Sequence, residues 1–264
     1  MSAQPGHSDD YIAFCDGVRR LAGIDLAQYK RPQMERRIRS FADRRGSASL
    51  PGYLAILSAD GRQLEQFLDR VTINVSQLWR NPEQFARLAG DVLPELAANQ
   101  RLRCWSAGCS YGAEAFTIAA LCKSVAPRAA IEVRGTDIDS RIIARAREGC
   151  FSAEDARSVP PDELRRWFDP LPDGRQQAKP ELRLLTKFET GDLLRDRFPT
   201  DHYDLVLCRN VVIYFNEPVR DELHARLVSS LRPGGYLMIG SSERIISPGS
   251  LGLETAHPFI YRRT

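Results

Sequence analysis

Apolar side chains in the first 70 residues recur at the spacing of a helix face. In the stretch YIAFCDGVRRLAG that face collects Tyr11, Phe14, Cys15, Val18 and Leu21. A second helix is predicted from Pro32, a residue favoured in a first helical turn, to Gly46, a residue favoured just past a helix end. The segment QLEQFLDRV adds a short amphipathic piece. These patterns predict a small helical domain over residues 1–70, with residues 71–264 as a second domain.

From about residue 100 onwards, short apolar runs alternate with helical patterns. LRCWSAG precedes AEAFTIAALCKSV, AIEVRGTDI precedes SRIIARAREG, and YDLVLCRNVVIYF precedes EPVRDELHARLVSSL. This alternation, followed by the apolar YLMIGSS, predicts a doubly wound α/β fold with a mostly parallel sheet. We expect the terminal FIYRR to pair at an edge of that sheet. Residues 155–190, which contain several prolines, are predicted to form a small insertion on the sheet.

Composition narrows the class of protein further. With 43% hydrophobic and 27% charged residues, the chain is predicted to be a folded, soluble globular protein. A formal net charge of +3 is too mild to indicate nucleic-acid binding. No apolar run approaches the roughly 20 residues that span a bilayer, and the start lacks the pattern of a signal peptide, so we expect a cytoplasmic protein without membrane insertion. The six cysteines form no CxxC pair and the four histidines are scattered, so neither disulfides nor a metal site is expected.

One local charge run stands out against this mild balance. Residues 30–45 carry seven basic side chains and two acidic ones. A run of this kind is often a solvated helix face. The alternative is an electrostatic docking surface for an acidic partner, which would raise association rates in a salt-sensitive way. The charge run alone leaves both interpretations open.

The turn WSAGCSYGAEAF lies between the first predicted strand and its helix. It lacks the Lys of a phosphate-binding P-loop, and Gly108 and Gly112 are not followed by the third glycine of a dinucleotide fingerprint. Glu114 lies where the helix should begin, and a carboxylate there opposes a pyrophosphate but suits a cationic ligand. Glu114 could also be only a favourable acid in a first helical turn.

Three further polar residues end predicted strands. Asp137 follows the second strand, where an acid commonly accepts hydrogen bonds from ribose hydroxyls, although it could instead cap the next helix. Asp192 and Asn210 follow the third and fourth strands and would lie over the same rim, or serve only as turn residues. A nucleoside with a positive centre and no pyrophosphate fits this set of groups. S-adenosylmethionine is the common ligand of that kind.

The ordered motifs TINVSQLWRNPEQF, WSAGCSYGAEAFTIA, GTDID, FETGDLL, LCRNVVIYF and LRPGGYLMIGSSE resemble those of the CheR family of chemotaxis receptor methyltransferases. The resemblance spans about residues 10 to 264 and includes YKRPQMERRI in the helical region. It implies a class I S-adenosylmethionine-dependent methyltransferase domain, a small N-terminal helical domain and, at residues 155–190, a small inserted β-subdomain. The implied activity is protein-glutamate O-methyl transfer to chemoreceptors.

The resemblance also implies a set of cofactor-binding residues: Asn74, Ser76, Arg80, Glu114, Asp137, Asp192, Leu193, Asn210 and Val211. Some positions depart from the common family pattern. Leu78 and Trp79 replace an aromatic pair, Ala113 and Ala115 alter the glycine turn, and Asp192 replaces a frequent Asn. The last change keeps the hydrogen-bond acceptor and loses the amide donors.

The implied reaction is attack by a glutamate oxygen on the sulfonium methyl group, which yields a glutamyl methyl ester and S-adenosylhomocysteine. No general base is required, because a carboxyl group with an ordinary pKa of about 4.3 is already ionised near neutrality. Arg80 is the candidate for orienting the incoming carboxylate, with a structural ion pair as the alternative. Tyr214 is expected near the methyl acceptor, with a core aromatic as the alternative.

The helical domain of this family is thought to dock on receptors, so Arg36, Arg37 and Arg39 become the expected docking residues. The insertion lacks a glycine-rich stretch, which favours recognition without a receptor tether. We expect a monomer that binds no metal and no nucleic acid. The alternative from another class is a noncatalytic S-adenosylmethionine-binding regulatory module. A small-molecule carboxyl methyltransferase and a dinucleotide oxidoreductase fit less well.

Overall fold

The computed structural model describes residues 7–71, 76–98 and 100–264. The chain divides into two compact units. The first, called the helical unit, comprises Met1–Asn74 and Tyr214–Val219. The second, called the sheet unit, comprises Val75–Ile213 and Arg220–Thr264. In the described parts of the chain, no helix is both long and apolar enough to cross a membrane.

The helical unit contains the helices α1 (His7–Ala22), α2 (Arg31–Arg44), α3 (Leu50–Ala59) and α4 (Gly61–Val71). Three aromatic rings pack together in its core. The ring of Phe14 stacks on Tyr53 at 5.9 Å between centroids, and Phe67 meets both rings edge-on. Ser49 caps the start of α3, where its hydroxyl accepts a hydrogen bond from the Gly52 N–H at 3.2 Å. Interlocked rings of this kind hold together helices that are individually too short to be stable.

A short segment from much later in the chain completes the helical unit. The Lys30 N–H donates to the Tyr214 carbonyl at 2.9 Å, and the Asn216 N–H donates to the Gln28 carbonyl at 3.0 Å. The rings of Tyr29 and Phe215 meet at 5.2 Å between centroids. The unit is therefore built from two separate stretches of sequence.

The strands of the sheet unit are β1 (Arg101–Ala107), β2 (Ala130–Asp137), β3 (Cys150–Phe151), β4 (Phe168–Pro170), β5 (Gln176–Ala178), β6 (Thr186–Thr190), β7 (Tyr203–Cys208), β8 (Leu231–Ile239), β9 (Leu253–His257) and β10 (Ile260–Arg263). Seven of them form one sheet in the order β6, β2, β1, β7, β8, β10, β9. The five strands from β6 to β8 pair in parallel. The predicted mostly parallel α/β fold is confirmed.

The end of the chain differs from the expectation that FIYRR forms an edge strand. Strand β10 pairs antiparallel with β8 on one side and with β9 on the other, so it lies inside the sheet. The edge is taken by β9, whose sequence LETAH has too little apolar alternation to predict a strand.

The helices of the sheet unit are α5 (Pro82–Arg87), α6 (Leu93–Ala97), α7 (Ala113–Val125), α8 (Ser140–Glu148), α9 (Ala153–Ala156), α10 (Pro161–Trp167), α11 (Pro180–Leu185) and α12 (Glu217–Ser230), the last of which begins in the segment assigned to the helical unit. A π-helical turn, Leu88–Val92, joins α5 to α6. Helix α7 packs on β1, β2 and β6 and is buried along most of its length. It begins at Ala113, after the glycine turn that follows the carboxyl end of β1 at Ala107.

A second, three-stranded antiparallel sheet has the order β3, β5, β4. It draws on Cys150–Phe151, ahead of the predicted insertion at 155–190, and ends at Ala178. The stretch Thr186–Thr190 pairs in parallel with β2 as an edge strand of the large sheet. The small sheet therefore begins earlier and ends earlier than the predicted insertion.

Candidate active site

The order of the parallel strands reverses between β1 and β7. From β1 the chain proceeds outwards to β2 and β6, whereas β7 and β8 lie on the other side. In open α/β sheets a ligand binds beyond the carboxyl ends of the strands at such a reversal. The glycine turn at Gly108 and the residues after Cys208 are the two sides of this position.

The glycine turn is held tightly against the neighbouring strands. The N–H groups of Gly108 and Cys109 both donate to the Thr136 carbonyl, at 2.8 and 2.9 Å. Gly108 has φ of +78°, and a Cβ placed on it would lie 2.5 Å from a methyl carbon of Val211. Any side chain at this position would therefore be strained and would push the two loops apart.

Glu114 lies in the first turn of α7, as expected, but it does not stand alone. Its Oε1 accepts a hydrogen bond from the Ser106 hydroxyl at 2.7 Å. Its Oε2 forms an ion pair with Arg209 Nη1 at 3.2 Å, and the two side chains are 12% and 2% exposed. Its negative charge is therefore balanced inside the protein, a feature that the turn sequence did not indicate.

Arg209 is a residue that sequence reasoning missed. Its Nη2 donates to the Arg80 carbonyl at 2.8 Å, to Asn81 Oδ1 at 3.0 Å and to Gln84 Oε1 at 2.8 Å. The guanidinium carbon lies 5.0 Å from the centre of the Phe85 ring. The available signal was an arginine directly after the wholly buried strand YDLVLC, because a charge at such a position needs partners.

Asp137 ends β2 and is almost completely buried. Its Oδ2 accepts from the Ser110 N–H at 2.9 Å and its Oδ1 from the Asp139 N–H at 3.1 Å. Burial raises the pKa of this carboxyl group, and the two N–H groups act in the opposite direction. The alternative role as a helix cap is wrong, because Asp139 caps α8 through the N–H groups of Arg141 and Ile142.

Asp192 follows β6 in a tight turn. Its Oδ1 accepts from the Leu194 N–H at 2.8 Å, and its own N–H donates to Asp196 Oδ2 at 2.8 Å. The preceding Gly191 N–H donates to the Asp137 carbonyl at 2.9 Å, which fixes this loop beside the end of β2. Leu193 is buried at 9% exposure. Asp192 is thus a turn residue as well as a candidate ligand.

Asn210 and Val211 follow β7 and rest on a second buried acid, Glu243. Glu243 Oε1 accepts from the Val211 N–H at 3.0 Å and its Oε2 from the Gly240 N–H at 2.6 Å. Burial raises the pKa of this carboxyl group, and the backbone N–H groups around it act in the opposite direction. Glu243 lies in the quoted motif LRPGGYLMIGSSE, yet the sequence assigned it no role. It holds the β7 loop through its backbone.

The segment before α5 carries two more candidates. The Ser76 carbonyl accepts from the Tyr111 hydroxyl, and the Trp79 N–H donates to Thr117 Oγ1 at 3.1 Å. Arg80 is half-buried in this segment and is bonded through its carbonyl to Arg209. The segment is therefore attached to the start of α7 and to the end of β7.

Two predicted residues do not belong to the described part of the sheet unit. Asn74 lies outside the described residues. Tyr214 belongs to the short segment that completes the helical unit, where its carbonyl accepts from the Lys30 N–H. The candidates joined by contacts are therefore those of the sheet unit from Ser76 to Val211.

Two buried polar atoms of the site show what it could hold. Asn210 Oδ1 and Ser110 Oγ have no hydrogen-bond partner among the described residues. Both lie at the strand-order reversal, where an acceptor and a hydroxyl suit the polar groups of a nucleoside or an amino acid. Together with the parallel sheet, they match the class I S-adenosylmethionine-dependent methyltransferases.

Comparison with known proteins identifies the family. The model of the CheR methyltransferase, SAM binding domain matches residues 74–255, and that of the CheR methyltransferase, all-alpha domain matches residues 9–72. The chemotaxis protein methyltransferase of Listeria innocua is 34% identical over 98% of this chain and 99% of its own. That of Borreliella burgdorferi is 31% identical, covering 91% of this chain and 89% of its own. The chain belongs to the CheR methyltransferase family.

Proposed function

We propose that the protein transfers a methyl group from S-adenosylmethionine to glutamate side chains of chemoreceptors, the methyl-accepting chemotaxis proteins. The products are glutamyl methyl esters, which serve chemotaxis adaptation, and the reaction takes place in the cytoplasm. Membership of the family supports this proposal, as do the names of the relatives. The observation that carries it is the pair of unpartnered buried atoms, Asn210 Oδ1 and Ser110 Oγ, at the strand-order reversal.

The residues present fit the cofactor. In this proposal it is held by Asn74, Ser76, Arg80, Glu114, Asp137, Asp192, Leu193, Asn210 and Val211. Asp137 keeps further acceptor capacity for ribose hydroxyls beyond its two backbone hydrogen bonds. The bare backbone at Gly108 lets Val211 of the β7 loop approach the turn closely, which brings the two sides of the site together. When bound, the cofactor supplies an electrophilic methyl group on a sulfonium centre.

The protein's own contribution to the chemistry is positioning. A receptor carboxylate is already a nucleophile at neutral pH, so the protein need not remove a proton. Arg80 and Tyr214 are the proposed catalytic residues, and the planar fork of Arg80 can hold a carboxylate in one geometry. Well-oriented reactants gain effective molarities of about 10⁵ to 10⁸ M. Alignment of this kind can therefore account for much of the rate enhancement.

Receptor docking is proposed for the basic face of α2, with Arg36, Arg37 and Arg39 as its expected residues. Arg39 has acidic partners, since its guanidinium bonds Asp10 and Glu35 at 2.8 and 2.7 Å. Arg36 is exposed and Arg37 is half-buried, so these two carry more of the attraction for an acidic partner. The same face continues to a shallow depression that is lined by three arginines and no carboxylate: Arg44, Arg45 and Arg70.

Incubation of the purified protein with methyl-labelled S-adenosylmethionine and chemoreceptor membranes tests this function. Alkali-labile label on the receptor is the expected result. Arg80→Ala should reduce the label at least tenfold, because a misaligned nucleophile loses much of its effective molarity. Arg87→Ala, a change at an exposed arginine of α5, is the matched control and should leave labelling unchanged.

Cofactor binding without any methyl transfer would contradict the proposal and favour the noncatalytic binding module. Label on free small carboxylic acids, but not on receptors, would point to a small-molecule carboxyl methyltransferase. The division at residue 70, the monomeric state and recognition without a tether stay predictions. Gel filtration and truncation of the small sheet would address the last two.

A further inference from the structure

We propose that Arg209 is a positioning residue that holds the Glu114 carboxylate and the Arg80 segment in one arrangement, and that its charge limits the preference of the site for a cationic ligand over a neutral one. The proposal rests on the proposed function, because it concerns the same cofactor site. It assigns a role to a residue that touches neither the substrate nor the cofactor in the proposed arrangement.

The first argument is geometric. One guanidinium group reaches three parts of the chain: the first turn of α7 at Glu114, the backbone at Arg80, and α5 at Gln84. Three oxygen atoms lie within 3.0 Å of Nη2, and a fourth lies 3.2 Å from Nη1. A planar fork can serve several directions at once, whereas the ammonium group of lysine is a point charge on a flexible stem. The arrangement therefore requires arginine specifically.

The second argument concerns freedom of movement. The Arg209 side chain is 2% exposed, and the Phe85 ring covers its guanidinium group at 5.0 Å. Glu114 is also held from the other side by the Ser106 hydroxyl. A buried charge that leaves its partner is costly, so neither side chain can turn away independently. The orientation of Glu114 is thereby coupled to the position of the Arg80 backbone.

The third argument concerns charge. The sequence suggested that Glu114 favours a cationic ligand through its negative charge, but Arg209 balances that charge at 3.2 Å. S-adenosylmethionine carries a sulfonium charge that S-adenosylhomocysteine lacks. If only the Arg209 charge is removed, the Glu114 carboxylate remains, and the cationic ligand should bind more tightly relative to the neutral one. If only the Glu114 charge is removed, the Arg209 guanidinium remains, and the cationic ligand should bind more weakly relative to the neutral one.

Isothermal titration with both ligands on the full chain tests the proposal, using Arg209→Gln, Glu114→Gln and Arg209→Lys. Arg209→Gln should shift the ratio of the two dissociation constants by about fivefold in favour of S-adenosylmethionine. Glu114→Gln should shift the ratio in the opposite direction. A shift of this size is what a screened interaction between two charges produces. Arg209→Lys should keep the ratio while kcat falls at least tenfold, because the charge stays but the fork is lost.

Arg232→Gln is the matched control. Arg232 pairs with Asp204 near the amino ends of β7 and β8, at the opposite end of the sheet, so its loss should leave the ratio unchanged. If Arg209→Gln does not fold by circular dichroism, Glu114→Gln and Arg209→Lys still decide the matter.

Two results would overturn the inference while the proposed function stands. One is an equal loss of affinity for both ligands in the Gln variants, which would indicate that Arg209 has only a structural role. The other is a wild-type kcat in Arg209→Lys. Failure of the unaltered protein to bind either ligand would overturn the proposed function itself, and the role of Arg209 with it.

Discussion

Arg209 in the sheet unit and Arg39 in the helical unit both donate to several oxygen atoms, but their surroundings differ. Arg39 bonds two carboxylates, Asp10 and Glu35, and is 27% exposed. Arg209 bonds one carboxylate and three neutral oxygens and is 2% exposed. By charge alone Arg39 is the better paired residue. By burial, Arg209 is the one whose hydrogen bonds water cannot replace.

The difference shows that the number of hydrogen bonds an arginine makes does not measure its contribution to the stability of the protein. An exposed ion pair contributes about 0 to 1 kcal/mol, because water and salt compete for both charges. A buried charge that loses its partner costs about 3 to 5 kcal/mol. Buried polar groups organise the candidate site of the sheet unit, whereas the ion pairs of Arg39 remain partly open to water.

The largest effect is expected from removing each arginine in turn. Arg209→Met should lower the free energy of unfolding by about 3 to 5 kcal/mol, since it leaves Glu114 without its buried partner. Arg39→Met should lower it by less than about 1 kcal/mol. Urea denaturation of both variants measures the contrast. Equal losses would show that burial does not separate the two residues.

A buried group without a charged partner should show the same cost when it is ionised. His224 in α12 is 2% exposed, its Nε2 has no hydrogen-bond partner among the described residues, and burial lowers its pKa to about 4, with Arg220 acting in the same direction and Asp221 against it. A depressed histidine pKa means that the stability it contributes is present above pH 6.5 and is lost as the pH falls towards 4. The loss amounts to about 3 kcal/mol.

Urea denaturation between pH 7 and pH 4 checks this expectation with His224→Leu. The unaltered protein should lose more stability over that range than the variant, by about 3 kcal/mol. Parallel pH profiles for the two proteins would mean that the histidine does not resist protonation.

Asp137 tests whether a buried acid of the site serves the ligand. Burial raises its pKa, so its contribution to the stability of the free protein is present at low pH and is lost as the pH rises through the raised pKa. Affinity for S-adenosylmethionine should rise over the same interval, since the ionised carboxylate is the stronger acceptor. Asp137→Asn should lack both trends and bind about tenfold more weakly at neutral pH.

Titration calorimetry at several pH values measures the affinity. Asp162→Asn, a change at an exposed acid of α10, is the control and should keep the profile of the unaltered protein. A pH-dependent affinity that survives in Asp137→Asn would contradict the assignment of Asp137.

The smallest effect on stability is expected at the surface. Reversal of charge at Arg36 and Arg37 to Glu should leave folding almost unchanged, but slow receptor methylation several-fold at low salt and flatten its salt dependence. The same reversal at Arg19 and Arg20, which are exposed at the end of α1, is the control. An unchanged salt dependence in the first variant would identify the α2 face as merely solvated.

The parallel sheet could be predicted because each of its central strands is an apolar run bounded by a helix pattern. Glu114 and Asp137 could be singled out because parallel strands bring their carboxyl ends to one edge. Strand β9 could not be predicted from the sequence, because LETAH is held in place by its pairing with β10 and has almost no apolar pattern of its own.

The partners inside the site were also beyond prediction. Arg209 meets Arg80 and Gln84 across more than 120 positions of sequence, and such contacts depend on the folded packing. Glu243 binds backbone N–H groups, which every residue carries, so no pattern of side chains marks its targets. Local patterns thus predicted which strand ends matter, while the buried connections between them became visible only in the structure.

The helical unit is interrupted in the sequence, and this limits how evolution or an engineer can move it. Tyr29 and Lys30 meet their partners in Tyr214–Val219, a stretch encoded almost two hundred codons downstream. A chimaera that exchanges only the first 74 residues between two relatives would join a foreign helical piece to a native closing segment. Both stretches must be inherited together, so specificity carried by this unit should change by paired substitution rather than by cassette exchange.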